Sequence, residues 1–147
     1  MPRHFRAKTV NRIIDANINR AKEGLRVCEE ITRFILESHS LTAELKGVRH
    51  KIDTLLKALP ASRYLVRERS SLSDVGRDIY AGELKRKSCR DIFFANIQRV
   101  KESIRVLEEF TKLTNIRTAV AFKRLRYTLY EIEKKIIGRL SSSSCRR

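Results

Sequence analysis

The stretch Ala16-Asn-Ile-Asn-Arg-Ala-Lys-Glu-Gly-Leu-Arg-Val-Cys-Glu-Glu-Ile-Thr-Arg-Phe34 decides the fold, because the chain contains it twice. It returns as Ala95-Asn-Ile-Gln-Arg-Val-Lys-Glu-Ser-Ile-Arg-Val-Leu-Glu-Glu-Phe-Thr-Lys-Leu113, and eleven of the 19 positions are identical. The identical positions include Asn, Arg and Glu, which a duplicated apolar core alone would not need. The repeat therefore predicts two related helices that share a polar centre.

Apolar residues at three- and four-residue steps predict four long helices and no strands. We expect these helices at about Val10 to Leu36, Leu41 to Leu59, Ser88 to Leu113 and, after Asn115, as far as Leu140. Lys46-x-x-Arg49 in the second helix is matched by Lys123-x-x-Arg126 in the fourth, so the duplication covers a whole helical hairpin. The sequence predicts an all-α fold in which two duplicated hairpins form a pseudo-twofold four-helix, or larger, bundle.

The 147 residues are enough for one substantial core, so we expect a single helical domain over residues 1–140. Its repeat halves lie at about 10–59 and 88–140, and the loop 60–87 between them has no counterpart in the duplication. Residues 141–147 are polar and are predicted to form a disordered tail.

The formal net charge of +16 favours anionic partners, such as nucleic acid, phosphorylated metabolites or an acidic membrane surface. No apolar run approaches the roughly 20 residues that span a bilayer, and the basic start predicts no secretory signal. Cys28, Cys89 and Cys145 follow no disulfide or metal-ligand spacing. This cysteine usage favours a reducing, cytoplasmic location.

A helical wheel places Asn17 at the centre of the apolar arc of the first helix and Arg20 about 60° to one side. Asn96 and Arg99 hold the same places in the third helix. A buried, unpaired Arg costs on the order of several kcal/mol, so each needs an anionic partner. Two interpretations stay open: a bidentate contact with a ligand between the hairpins, or pairing with carboxylates of the same fold, such as Glu23, Glu30, Glu102 or Glu109.

Candidate metal ligands follow from the same wheel. Glu23 and Glu102 lie nearest the inward Arg residues and carry the oxygen ligands that Mg²⁺ prefers. In the loop, Asp74-Val-Gly76 is either a plain turn or a segment that covers an anion or holds a metal. Arg26 and its repeat counterpart Arg105 are expected to join surface salt-bridge ladders.

Several motifs together resemble a known family. They are Ala16-Asn-x-x-Arg-x-x-Glu-Gly-Leu-Arg-x-x-Glu-Glu30, Arg69 with Asp74-Val-Gly76, Glu83-x-x-Arg86-x-Ser88, and Ala95-Asn-x-x-Arg-Val-x-Glu-x-x-Arg-Val-Leu-Glu-Glu109. The chain resembles, from about Ile13 to Tyr130, the all-helical domain found ahead of thiamine-phosphate synthase. That family is regarded as an alternative hydroxymethylpyrimidine phosphate kinase, unrelated to the ribokinase-like enzyme.

The resemblance implies transfer of the ATP γ-phosphoryl group to hydroxymethylpyrimidine phosphate with Mg²⁺, a reaction that depends on positioning and charge neutralisation. Combining it with the wheel, we expect Arg20, Arg99 and Asp74 to act in catalysis. Asn17, Asn96 and Arg69 are expected to bind substrate or phosphate, and Glu23 and Glu102 to serve the metal.

Two other classes of function remain as alternatives. One is a helical-bundle enzyme that binds a small dicarboxylate through inward Arg, in the manner of all-α chorismate mutases. The other is a basic helical protein that binds nucleic acid, although basic residues spread over all four helices disfavour it. The expected partners are a phosphorylated pyrimidine and ATP rather than a membrane, and a homodimer or an association with thiamine-phosphate synthase stays open.

Overall fold

The structure is a computed structural model that describes residues 3–78 and 81–142. Four long helices dominate these ranges: α1 (Arg3–Glu30), α2 (His39–Lys57), α3 (Cys89–Thr111) and α4 (Ile116–Ser142). No strand occurs in the ranges described, which confirms the all-α fold class. No helix there combines the length and apolar character that crossing a bilayer requires.

Three of the helices begin with a side-chain cap. Ser38 accepts a backbone N–H at the start of α2, Ser88 does so for α3, and Asn115 for α4. Each cap satisfies one of the N–H groups that have no partner inside a helix. Asp91 in α3 accepts the N–H of Lys87 at 2.9 Å, so the side chains of Ser88 and Asp91 each accept a backbone N–H at the start of this helix.

The outer ends of α1 and α4 both extend beyond the sequence prediction. α1 begins at Arg3 instead of Val10, because no Gly or Pro interrupts the helix in between. α4 continues to Ser142, so positions 141 and 142 of the predicted disordered tail are helical. The rest of that tail, residues 143–147, lies outside the described residues.

The core lies between the apolar faces of the four helices. α1 packs on both α2 and α3, and α4 packs on both α3 and α2. Cys28 is fully buried in this core. The largest side chains that are fully buried with it include Phe93, Phe122, Leu25, Leu45 and Ile52.

Gly24 marks the closest approach of α1 to α3. A Cβ at this position would lie 2.7 Å from Val100 Cγ2 and 3.0 Å from the carbonyl oxygen of Asn96. Both distances are too short for a side chain, so glycine allows the two repeat helices to cross in contact.

The two hairpins contain matched buried ion pairs. Glu29 in α1 accepts from Arg49 Nε in α2 at 3.1 Å, and Glu108 in α3 accepts from Arg126 Nη2 in α4 at 2.9 Å. Both carboxylates are 3% exposed. These contacts agree with a duplicated hairpin, while the pseudo-twofold relation between the two halves stays a prediction.

The connecting segment runs from α2 to α3 as loops and three short 3-10 turns, Pro60–Arg63, Val66–Glu68 and Ala81–Leu84. Leu65 is buried and fixes the start of the segment on the core, whereas every described residue from position 69 to 87 is exposed. This exposed stretch lies beside α1.

Candidate functional site

A cavity of about 630 Å³ opens where α1, α3 and the connecting segment meet. It brings together residues that are far apart in the sequence. Six of the eight predicted site residues line it: Asn17, Arg20 and Glu23 from α1, Arg99 from α3, and Arg69 and Asp74 from the connecting segment. The other two, Asn96 and Glu102, do not line this cavity.

Arg20 and Arg99 were predicted to point into the core, and this was wrong, because both residues are exposed. Each starts near the apolar arc, but its long side chain carries the guanidinium out to the cavity. Neither forms an ion pair with a carboxylate in residues 3–78 or 81–142. The interpretation that Glu23, Glu30, Glu102 or Glu109 neutralises them therefore finds no support in the described structure.

The two repeated Asn residues bond to their own helices. Asn17 Nδ2 donates to the carbonyl of Ile13 at 2.8 Å, and Asn96 Nδ2 donates to the carbonyl of Ile92 at the same distance. Asn17 is buried at the cavity wall, whereas Asn96 is half-buried elsewhere. With Nδ2 held by the backbone, Asn17 has its Oδ1 left to accept a hydrogen bond from a ligand.

Arg69 fastens the connecting segment to α1. Its Nε and Nη2 donate to the two carboxylate oxygens of Asp15 at 2.7 and 2.8 Å, a bidentate pair. Hydrogen bonding to Asp15 raises the pKa of the Arg69 guanidinium. Arg69 lines the cavity as expected, but its Nε and Nη2 already bond to Asp15, so only Nη1 has no partner in the described structure.

Sequence reasoning missed Asp15, which is 7% exposed. On the wheel this residue lies on the polar side of α1, where a carboxylate is expected to be exposed to solvent. It is buried because the connecting segment covers it. The sequence of that segment has no periodicity from which the contact between Arg69 and Asp15 could be predicted.

Sequence reasoning also missed two further arginines of the cavity. Arg12 on α1 and Arg77 in the connecting segment line it, and neither forms an ion pair within the described ranges. Arg12 lies two turns before Arg20 on the same helix, a spacing that a search for cationic stripes would find. Within the described ranges, four arginines without an ion-pair partner therefore line one cavity.

Among the described residues, four acidic ones also line the cavity: Glu23, Asp74, Asp78 and Glu83. Asp74 Oδ1 accepts the N–H of Gly76 at 2.9 Å, which closes a tight turn and leaves the second carboxylate oxygen without a partner in the described structure. Glu23 lies on the cavity wall contributed by α1. Glu102 is elsewhere, where it accepts from Gln98 Nε2 at 3.0 Å.

The number and position of these carboxylates decide whether they fit the predicted Mg²⁺ ion. The described residues contain no group of three or more His, Cys, Asp or Glu side chains that could hold a metal ion. A Mg²⁺ ion bound to phosphates keeps several waters and needs only one or two protein carboxylates. Glu23 and Asp74 fit that requirement, and Glu102 does not, because it lies outside the cavity.

The predicted salt-bridge ladders are confirmed in part. Arg105 contacts Glu109 at 3.0 Å as expected and also Glu108 at 3.1 Å, whereas Arg26 contacts Glu29 at 3.4 Å rather than Glu23 or Glu30. The ladders therefore continue into the buried Glu29 and Glu108 pairs. The repeated Glu-Glu of the motif combined with Lys-x-x-Arg of the next helix was the signal for these pairs.

Comparison with protein families gives a match of residues 12–135 to the ThiD2 family. The chain belongs to this family. The match covers most of both hairpins, the whole connecting segment and every residue that lines the cavity except Thr9.

Curated relatives of this ThiD2 family member are named thiamine-phosphate synthase. The Nostoc sp. (strain PCC 7120 / SAG 25.82 / UTEX 2576) protein is 37% identical over 141 residues, 95% of this chain and 39% of the relative. The Synechocystis sp. (strain ATCC 27184 / PCC 6803 / Kazusa) protein is 38% identical, covering 88% of this chain and 36% of the relative. The Rhodopirellula baltica protein is 36% identical, covering 90% and 36%.

The chain thus spans less than two fifths of the length of these relatives. No solved structure matches it. Membership of the ThiD2 family together with these relatives places the chain in the context of thiamine biosynthesis.

Proposed function

We propose that this protein is a kinase that transfers the γ-phosphoryl group of ATP to hydroxymethylpyrimidine phosphate, giving the diphosphate. The observation that carries the proposal is the convergence of Arg20 and Arg99, from the two repeats, on one cavity without carboxylate partners in the described structure. Guanidiniums that line a cavity without an ion-pair partner among the described residues suit a ligand with several phosphate groups. The thiamine context of the family supports the same choice.

The arginines would neutralise the phosphoryl groups of both substrates. Phosphoryl transfer depends on holding the two substrates in line and stabilising charge on the transferred oxygens, with little covalent chemistry by the protein. Arg20 and Arg99 reach the cavity from two packed helices, and a rigid scaffold of this kind favours accurate positioning. Arg69 would contribute mainly by keeping the connecting segment, and with it Asp74, next to α1.

Asn17 would recognise the pyrimidine rather than a phosphate. Its free group is the acceptor Oδ1, and phosphate oxygens also accept, so the two would not pair. The amino group of the aminopyrimidine is a donor and suits that oxygen. Asn96, outside the cavity, would have a structural role in α3.

Mg²⁺ would reach the site bound to ATP, with Glu23 and Asp74 as its protein ligands. The ion supplies neutralisation of phosphate charge during transfer. Asp74 is held in a tight turn by the N–H of Gly76, so its remaining oxygen is fixed in place.

The acidic groups favour this function over binding of a dicarboxylate. Glu23 and Asp74 would repel a dianion that arrives without a metal, whereas a metal–nucleotide complex uses them. An enzyme of the chorismate mutase type would therefore gain nothing from this lining.

The direct test is release of ADP in a coupled assay with purified protein, Mg-ATP and hydroxymethylpyrimidine phosphate. We expect turnover that requires the pyrimidine, stops with EDTA and returns with excess Mg²⁺. Well-folded protein that releases no ADP above the rate without pyrimidine would contradict the proposal. Turnover insensitive to EDTA would contradict the metal assignment alone.

The greater length of the relatives supports a further proposal, that the product passes to a thiamine-phosphate synthase. Co-elution of the two proteins in size-exclusion chromatography, or channelling of the diphosphate past a competing phosphatase, would support an association. Independent elution together with free exchange of the diphosphate would contradict it.

A further inference from the structure

A second cleft, of about 830 Å³, lies between the end of α1 and the start of α2. It shares no lining residue with the proposed phosphoryl-transfer cavity. Arg33 lies on its α1 side, in the π-helical turn Ile31–Ile35 that ends this helix, and Lys46 and Arg49 lie on its α2 side. The proposed kinase reaction uses none of these residues.

The cleft arises where the two halves of the repeat differ in length. Thr32 and Thr111 are 79 residues apart, but the helix caps Ser38 and Asn115 are 77 apart, so the first hairpin turn is two residues longer. The extra length is taken up by the π-helical turn and by Glu37, which has a φ of 47°. This turn separates the start of α2 from the end of α1.

Arg49 shows most clearly what the cleft could bind. Its counterpart Arg126 in the second hairpin uses Nε and Nη2 for Glu108 and Nη1 for the hydroxyl of Tyr130. Arg49 uses only Nε, for Glu29, and its two Nη groups have no acceptor among the described residues. Its side chain is 19% exposed and lines the cleft, so these donors are available to a ligand bound there.

The neighbouring charges set the kind of ligand. Lys46, one turn before Arg49, and Arg33 form no ion pair in the part of the chain that the structure describes. Glu29 is already neutralised by Arg49 and Arg26. Two other lining carboxylates, Glu30 and Glu37, have no cationic partner there.

We propose that this cleft binds a small phosphate ester that also carries a positively charged group. The phosphate takes the free fork of Arg49 together with Lys46, because a guanidinium fork matches two phosphate oxygens. The positive group is balanced by Glu30 and Glu37. A phosphate alone leaves these two carboxylates uncompensated, which is why the ligand class includes a cation.

The test is isothermal titration calorimetry at low ionic strength with phosphocholine and with glycerol 3-phosphate, which lacks the cation. All titrations use protein that carries Arg20→Gln and Arg99→Gln. These substitutions disable the phosphoryl-transfer cavity, so the titration reports on the cleft whether or not the protein is a kinase. Lys46→Gln is compared with Lys123→Gln, the matching lysine of the second hairpin, which changes the net charge equally. Glu37→Gln is the third variant.

We expect phosphocholine to bind more tightly than glycerol 3-phosphate. Lys46→Gln should weaken phosphocholine binding by at least about tenfold, as expected for loss of one charge-assisted hydrogen bond, and Lys123→Gln should not. Glu37→Gln should reduce the preference for phosphocholine. Equal effects of the two lysine variants, equal affinity for the two esters, or no binding of either would each overturn the proposal.

Discussion

At the scale of single residues, the repeated arginines divide into two kinds. Arg26 and Arg105 contact acidic residues of their own helices, whereas Arg20 and Arg99 have no carboxylate partner in the described ranges. An unpaired guanidinium next to a cavity is available to a ligand, while a paired one mainly supports its helix. The motif itself does not distinguish them, because all four occur at repeated positions.

Glu108 is predicted to be far more important for stability than its neighbour Glu109. Glu108 is buried and holds Arg126, so Glu108→Ala leaves a guanidinium that is only 13% exposed without its partner. We expect a loss of about 3 kcal/mol in the free energy of unfolding, measured by urea denaturation.

Glu109→Ala is the matched control. Its carboxylate is 43% exposed and contacts Arg105 and Lys112 at the surface. The hydrogen bond from Lys112 lowers the pKa of Glu109, but solvent screens the pair, so the urea midpoint should change little. Equal losses in the free energy of unfolding for the two variants would mean that the buried Glu108–Arg126 pair contributes no more to stability than the exposed contacts of Glu109.

Arg69→Gln is predicted to loosen the connecting segment without unfolding the protein. The Arg69 side chain is 46% exposed, so its pair with Asp15 should contribute less than about 1 kcal/mol to global stability. Limited proteolysis at sites in the exposed stretch that follows residue 69 should become several-fold faster. The KM for the pyrimidine should rise. An unchanged cleavage rate would show that other contacts hold the segment in place.

Cys28 gives a prediction about alkaline pH. Burial, with smaller effects of Glu133 and Glu29, raises the pKa of its thiol from 9.0 to about 12. Between these values the unfolded chain loses the thiol proton and the folded chain keeps it, so the contribution to stability is complete below pH 9 and declines toward pH 12.

We expect the stability advantage of wild type over Cys28→Ala to be smaller at pH 10.5 than at pH 8 in urea denaturation. Subtracting the variant removes the effect of the other titrating groups. The same advantage at both pH values would indicate that the thiol is not protected from ionisation.

At the scale of the helices, the crossing of α1 and α3 depends on Gly24. Gly24→Ala raises helix propensity but places a Cβ against Val100 and the backbone of Asn96. We expect a net loss of about 1–3 kcal/mol and a lower kcat, because Arg99 lies one turn after Asn96 on the displaced helix.

Gly47→Ala is the control for the propensity effect. Gly47 also lies inside a helix, α2, and no atom lies within 4 Å of a Cβ built there. This variant should gain up to about 1 kcal/mol. A gain of similar size for Gly24→Ala would show that the helices can move apart without cost.

Helices were also what the sequence predicted best. Periodic apolar residues and the caps Ser38, Ser88 and Asn115 determine local structure through interactions a few residues apart, so the order of the four helices and the hairpin turns follow from the sequence. The exposed stretch 69–87 has no such period. Among the described residues, the Asp15–Arg69 pair joins this stretch to α1, and local patterns do not reveal it.

At the scale of the whole molecule, the repeat predicted which residues would share a site but not where it lies. A helical wheel gives the direction of a side chain around its own axis and ignores its length. Arg20 and Arg99 therefore looked internal, although their guanidiniums reach a surface cavity. Glu102 lies on the same helix as Arg99, one turn further along, but does not line the cavity.

The central claim is that Arg99 from the second repeat acts on phosphate in a cavity formed mainly by α1 and the connecting segment. The most direct measurement is kcat/KM for ADP release with Mg-ATP and hydroxymethylpyrimidine phosphate, comparing Arg99→Gln with Lys134→Gln. The second variant removes an equal charge from an exposed position on α4 that lines neither cavity. We predict a loss of about 100-fold or more for Arg99→Gln and close to wild-type activity for Lys134→Gln, whereas similar activity in the two variants would contradict the claim.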